Sequence, residues 1–212
     1  FMKIAIFFLL LISSVSLVAR PVSYSSGWTV MSYNDYNRNS ILVHYSPTSK
    51  YSVGYKAVYW QKKEYWLNAF NINYLAKRIN KKKSQANIYL NTGLGLLTTD
   101  YKEYNNKKEL VSYGGVSTDW ETRRLFVSYN INAIKSKTVD GTFMQKARFG
   151  FAPYLAGYGK LHTWLMYELH HMPEDNKTLT SNVVIRFFKS TNLLELGLDE
   201  NKNTTLNFIK RF

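Results

Sequence analysis

In the stretch "HYS", His44 and Ser46 stand two residues apart, and residues so spaced share one face of an extended chain. An imidazole within reach of a hydroxyl is the arrangement in which a base activates a nucleophile. Pro47 follows at once, and a His-x-Ser match is common by chance, so a polar strand end is the preferred reading. A second cluster gathers His162, Met166, Glu168, His170, His171 and Met172, soft and imidazole ligands suited to copper or zinc. His162 and His170 lie eight residues apart, roughly 26 Å along a strand, and cannot hold one ion. Glu168, His170 and Met172 are what remains for a metal, and ordinary polar wall residues are preferred to a metal site. The chain has no cysteine, which excludes thiolate metal sites, a cysteine nucleophile and a disulfide scaffold. It carries no Gly-rich phosphate loop, no HExxH and no paired catalytic carboxylates at a recognisable spacing. No cofactor is expected.

The third candidate chemistry is charge. The formal net charge is +14. Lys56, Lys77, Lys146, Arg148, Arg186 and Arg211 fall on the polar face of alternating segments, against Glu168, Glu195 and Asp199. Such residues could lock into a salt-bridged plug, or their field could concentrate anionic solutes in a pore. The plug is preferred, because side chains inside small barrels so often serve structure. Further basic residues crowd the connections, at Lys62-Lys63, Lys81 to Lys83, Lys107-Lys108 and Arg123-Arg124.

The elements that must position these residues are strands. Met2 and Lys3 lead into an apolar run, Ile4 to Ile12, and then small residues up to Ala19. This is the plan of a secretory signal peptide, so residues 1–19 are expected to be removed and 20–212 to form one domain. No later apolar run is long enough to cross a bilayer as a helix. Period-two alternation recurs instead, in twelve segments: 26–34, 39–46, 50–61, 64–79, 84–98, 111–121, 123–135, 142–156, 161–172, 180–189, 193–200 and 204–212. Turn-forming or solvent-loving residues separate them. Most exceed the roughly 5–6 residues of strands in soluble sheets and approach the roughly 9–11 that a tilted strand needs to cross a membrane.

In the fifth segment Ala86, Ile88, Leu90, Leu94 and Leu96 share one face, opposite Gln85, Asn87, Tyr89, Asn91, Gly93 and Gly95. A secreted soluble barrel would show the same alternation with the apolar face turned inward. Three features favour the membrane: the even strand count, aromatics near strand ends (Tyr45, Tyr51, Tyr59, Trp60, Tyr65, Trp66, Tyr74), and connections that alternate in length. Counted from a start in the periplasm, the long connections 100–110, 136–141 and 173–179 fall outside, and the others on that count are tight apart from 80–83. The expected fold is therefore all-β: a closed antiparallel transmembrane barrel of about twelve strands in an up-and-down meander.

The chain thus resembles bacterial outer-membrane β-barrel proteins. In that group the last strand commonly ends on Phe as a signal to the barrel assembly machinery; Leu206, Phe208 and Phe212 match, and Lys210 departs. The blocks "GWTVMSYND", "HYSPTSKYSVGY", "NYLAKRINKKKSQANIYL" and "LHTWLM" are also similar to a group of uncharacterised proteobacterial outer-membrane proteins. The resemblance implies export to the outer membrane, contact with its lipids and lipopolysaccharide, and either a structural role or a narrow passive channel for small anionic solutes. The rival class is an outer-membrane lipid hydrolase, since lipid A deacylases use a His-x-Ser pair. Here, however, the pair falls at a periplasmic turn on the lumen face, away from lipid. Nucleic acid is not expected as a partner, because such strands offer no groove-reading element.

Overall fold

The computed structural model describes residues 20–99, 106–137, 142–157, 159–174 and 178–212. The expected export signal, and much of the connection after residue 99, lie outside the described residues. Twelve strands are present among them: β1 (Gly27–Asn34), β2 (Arg38–Ser46), β3 (Tyr51–Trp60), β4 (Tyr65–Lys81), β5 (Ser84–Thr99), β6 (Lys108–Glu121), β7 (Leu125–Lys135), β8 (Thr142–Phe151), β9 (His162–His171), β10 (Leu179–Lys189), β11 (Asn192–Asp199) and β12 (Thr204–Arg211). Each pairs antiparallel with its neighbours in sequence, and β1 pairs with β12, so the meander closes on itself. At the seam the Phe212 N–H donates to the Trp28 carbonyl at 2.9 Å, and the Trp28 N–H returns a bond at 3.3 Å. Closure leaves no strand edge unpaired.

The alternation sorts residues as expected for a wall with lipid outside. Phe70, Leu94 and Val183 are among the most exposed side chains, while Thr29, Asn71, Asn73 and Glu195 are buried inside. A soluble barrel requires the reverse, so the secreted soluble alternative is set aside. Outward aromatic pairs mark both ends: Trp28 with Tyr45, centroids 5.2 Å apart, near the end where β1 begins, and Tyr59 with Trp66, 4.9 Å apart, at the other. We call these the near end and the far end. The interior is not uniformly polar, however. Trp60, Tyr65, Leu67, Leu97 and Val111 form an apolar cluster on the inner wall at the far end, joined by Met144 and Met172.

Two local features depart from simple alternation. In β4 the pairing passes from Leu75 opposite Tyr89 directly to Lys77 opposite Ile88, leaving Ala76 as a bulge. A bulge reverses the facing of everything beyond it. Lys77, expected in the lumen, therefore lies exposed on the outer face, on the rim of an apolar groove walled by Ile79, Ile88, Trp120 and Val127. Arg78 takes the inner face and donates to Asn87 Oδ1 at 2.8 Å. Secondly, β8 ends at Phe151 rather than 156, with Pro153 two residues on, a residue without an N–H for the ladder. The connection that follows, residues 152–161, is consequently long, whereas β4 and β5 are joined by Lys82 and Lys83 alone. The exception to tight near-end turns lies after β8, not at 80–83.

Candidate functional site: the barrel lumen

One side of the inner wall, from β8 to β12, is a ladder of buried opposite charges. Arg148 on β8 bridges two carboxylates, Glu168 on β9 and Glu195 on β11, the latter at 2.7 Å. Arg186 on β10 reaches the same Glu195 at 2.6 Å, and Asn207 on β12 donates to its second oxygen at 2.8 Å. His170 Nε2 lies 2.9 Å from Glu168 Oε2. Each charged group is therefore held by at least one neighbour on an adjacent strand, which is what low-polarity surroundings require of it. The β-pleat supplies the geometry: Arg148 is registered with Glu168, and Arg186 with Glu195.

The opposite side, β3 to β6, carries mostly aromatic and amide groups at mid-height, with Lys56 among them and Arg78, Asp119 and Glu121 toward the near end. Lys56 Nζ sits 4.7 Å from the centroid of Tyr113, a cation–π arrangement. The Tyr113 hydroxyl donates to Asn71 Oδ1 at 2.9 Å. Gly93 makes room for that ring: a Cβ there would stand 2.3 Å from Tyr113. Between the two sides lies a cavity of about 310 Å³. It runs from Asp35 and Arg38 at the far end, past Lys56, Lys146, Arg148 and Arg186, to Pro21. Among the described residues neither Lys56 nor Lys146 has a carboxylate within ion-pair distance.

Pro21 belongs to a segment outside the sheet. Residues 24–27 turn back on themselves, with the Gly27 N–H donating to the Tyr24 carbonyl at 3.1 Å. The chain ahead of the turn runs into the barrel. Arg20 pairs with Glu121 on β6 at 2.5 Å. The Pro21 carbonyl accepts from Ser52 at 2.8 Å and Asn73 at 3.2 Å, and the Ser23 N–H donates to Ser46 Oγ at 3.0 Å. Val22 is buried with Leu75 and Tyr89.

The remaining sequence candidates fall as follows. His44 and Ser46 both line the near end and are fully buried, but Ser46 accepts from Ser23 and the ring nitrogens of His44 have no hydrogen-bond partner among the described residues. They do not form the bond that a base and nucleophile need. Glu168 and His170 are brought together, whereas Met172 packs with the apolar cluster at the far end. Arg211 is buried inside the near end. Asp199, at the far end, accepts from the Asn201 and Asn203 N–H groups, both at 2.8 Å, and so closes its own hairpin. Leu206 and Phe208 point outward with Phe212, over whose ring Lys210 Nζ lies at 4.9 Å. Arg20, Arg38, Asp119 and Glu121 were not among the expected lumen charges. A two-residue count along β6 from inward Tyr113 reaches Asp119 and Glu121, so that pair carried a signal.

No protein-family model and no curated protein matches the sequence. Among solved structures, the chain is similar to the KdgM porin in complex with disordered oligogalacturonate, with a TM-score of 0.52 at 9% identity over 88% of this chain and 98% of that one. It is also similar to OccAB1 of Acinetobacter baumannii, with a TM-score of 0.46 at 6% identity over 82% of this chain and 57% of that one. The first likeness is one of fold; the second is too distant to carry an argument.

Proposed function

We propose that the protein is an outer-membrane channel, both barrel ends of its chain in the periplasm, whose lumen takes up small anionic solutes through the far, outward-facing end. The observation that carries this reading is the cavity lined by Lys56 and Lys146, cations that among the described residues have no carboxylate within ion-pair distance. In a narrow, poorly screened lumen such charges attract anions and repel cations. The apolar exterior and the fold shared with KdgM support a membrane channel, and the oligogalacturonate bound to that porin supports carboxylated oligosaccharides as the solute class. Tyr113, Asn71 and Asn91 at the same cavity offer ring and amide groups for sugar hydroxyls.

The same reading includes removal of residues 1–19 as an export signal, insertion by the barrel assembly machinery through Leu206, Phe208 and Phe212, and contact of the far-end lysines, Lys62-Lys63 and Lys107-Lys108, with lipopolysaccharide phosphates, while Lys81 to Lys83 face the periplasm. The hydrolase reading has less support, because His44 and Ser46 are sealed and do not bond each other. The test is a planar-bilayer measurement under a KCl gradient with purified protein. The expected reversal potential is anion-selective. A cation-selective potential would sink the proposal.

A further inference from the structure

The segment ahead of β1 reaches the near end of the cavity at Pro21, and its bonding resembles a docked latch more than a core. Residues 20–26 add no strand to the barrel, which closes completely without them. The wall that receives them is largely polar: Glu121 takes Arg20, Ser52 and Asn73 take the Pro21 carbonyl, and Ser46 takes the Ser23 N–H. Water can satisfy each of those groups if the segment leaves. A permanent core would instead present an apolar wall, and here the apolar contact is confined to Val22 against Leu75 and Tyr89. A hinge is also present. Ser26 has a φ of 63°, and the Tyr24 ring lies over Gly27, where a Cβ would meet it at 2.8 Å. The chain thus reverses sharply between the strand and the docked segment.

We propose that residues 20–25 are a detachable latch, which shuts the periplasmic end of the channel when docked on Glu121, Ser46, Ser52 and Asn73 and opens it when released. The inference rests on the channel reading above. A docked latch makes the lumen a blind pocket open to the far side, able to hold a solute without leaking. Release converts the pocket into a through-pore, and it must break the buried ion pair Arg20–Glu121.

The test uses the full chain, which has no native cysteine, with single cysteines placed at Val22 or at exposed Ser25. Both are made with and without Glu121→Lys, which sets a cation against Arg20. A membrane-impermeant maleimide is added to purified protein in lipid, and conductance is recorded in parallel. The expected result is labelling of Val22→Cys at least tenfold slower than Ser25→Cys, a gap that Glu121→Lys closes, together with a several-fold rise in time-averaged conductance, because the parent channel conducts only in the brief openings when the latch is released. Equal labelling at both positions without Glu121→Lys overturns docking. Exposure of position 22 with unchanged conductance overturns closure. No conductance in any variant overturns the channel reading and the gating with it, while the labelling contrast still decides docking. Heat-dependent gel mobility verifies that each barrel is folded; if Glu121→Lys is not, Ser46→Ala with Asn73→Ala takes its place with the same expected outcomes.

Discussion

The two sides of the lumen face the same cavity and treat charge in opposite ways. From β8 to β12, Arg148, Glu168, Arg186 and Glu195 neutralise one another across four strands. On the other side Lys56 stands over the Tyr113 ring, and among the described residues neither it nor Lys146, beside the ladder on β8, has a carboxylate within ion-pair distance. Paired buried charges fix a shape, because moving one leaves its partner uncompensated. Unpaired cations at a cavity act on whatever enters it. A count of lumen charges alone does not distinguish the two roles, since it enters lysines and arginines alike. On the channel reading proposed above, the field comes from Lys56 and Lys146, which line the cavity.

The largest effect that separates the sides is expected from Glu195→Ala. This carboxylate holds both Arg148 and Arg186, and removing it leaves two buried guanidiniums short of their partner. Breaking such a group from one side costs about 3–5 kcal/mol. The unfolding midpoint of the purified barrel in urea, followed by gel mobility, should fall accordingly. A change below about 1 kcal/mol would mean that water already shares the load.

Much of this architecture was legible in the sequence, because strands leave a period of two that helices do not share. All twelve segments fall on strands, and Arg148, Glu168, Arg186 and Glu195 fall on the inner face as a two-step count requires. The count fails where the period is interrupted. Nothing in "LAKRIN" betrays the bulge at Ala76, which depends on the pairing with β5, and so Lys77 was placed on the wrong face. Pro153 could have ended the eighth strand earlier, since it cannot donate to the ladder. The latch was illegible for another reason. Residues 20–26 have no period, and what holds them is contact with side chains far along the chain, Arg20 with Glu121 above all.

A smaller effect on the fold, and a larger one on selectivity, is expected from the lysines. Replacing Lys56 and Lys146 together with Ser should remove most of the anion preference in the reversal potential and lower the unfolding midpoint little, because among the described residues neither lysine lies within ion-pair distance of a carboxylate. Replacing Arg148 and Arg186 with Ser should do the converse, destabilising the barrel by leaving Glu168 and Glu195 without their arginines. If the arginine variant loses selectivity while remaining as stable as the parent, the assignment of roles to the two sides is inverted.

The smallest effect concerns Asp199, which a tally of charges enters as a lumen carboxylate offsetting one cation. Its oxygens instead accept from the Asn201 and Asn203 N–H groups and from the Asn203 side chain at 2.9 Å. All three bonds lie within the hairpin between β11 and β12, at the far end. Asp199→Ala should therefore lower stability by about 1 kcal/mol, the net worth of hydrogen bonds in a partly exposed turn, and leave the reversal potential where it was. A charge acting on the pore would behave differently, since removing one carboxylate from a narrow lumen would raise anion selectivity measurably at low salt, where screening is weakest. The two readouts together separate a residue that shapes the wall from one that sets its field. A shift of the reversal potential toward anions in Asp199→Ala, with an unchanged unfolding midpoint, would return this carboxylate to the lumen and require the division between paired wall and working lysines to be redrawn.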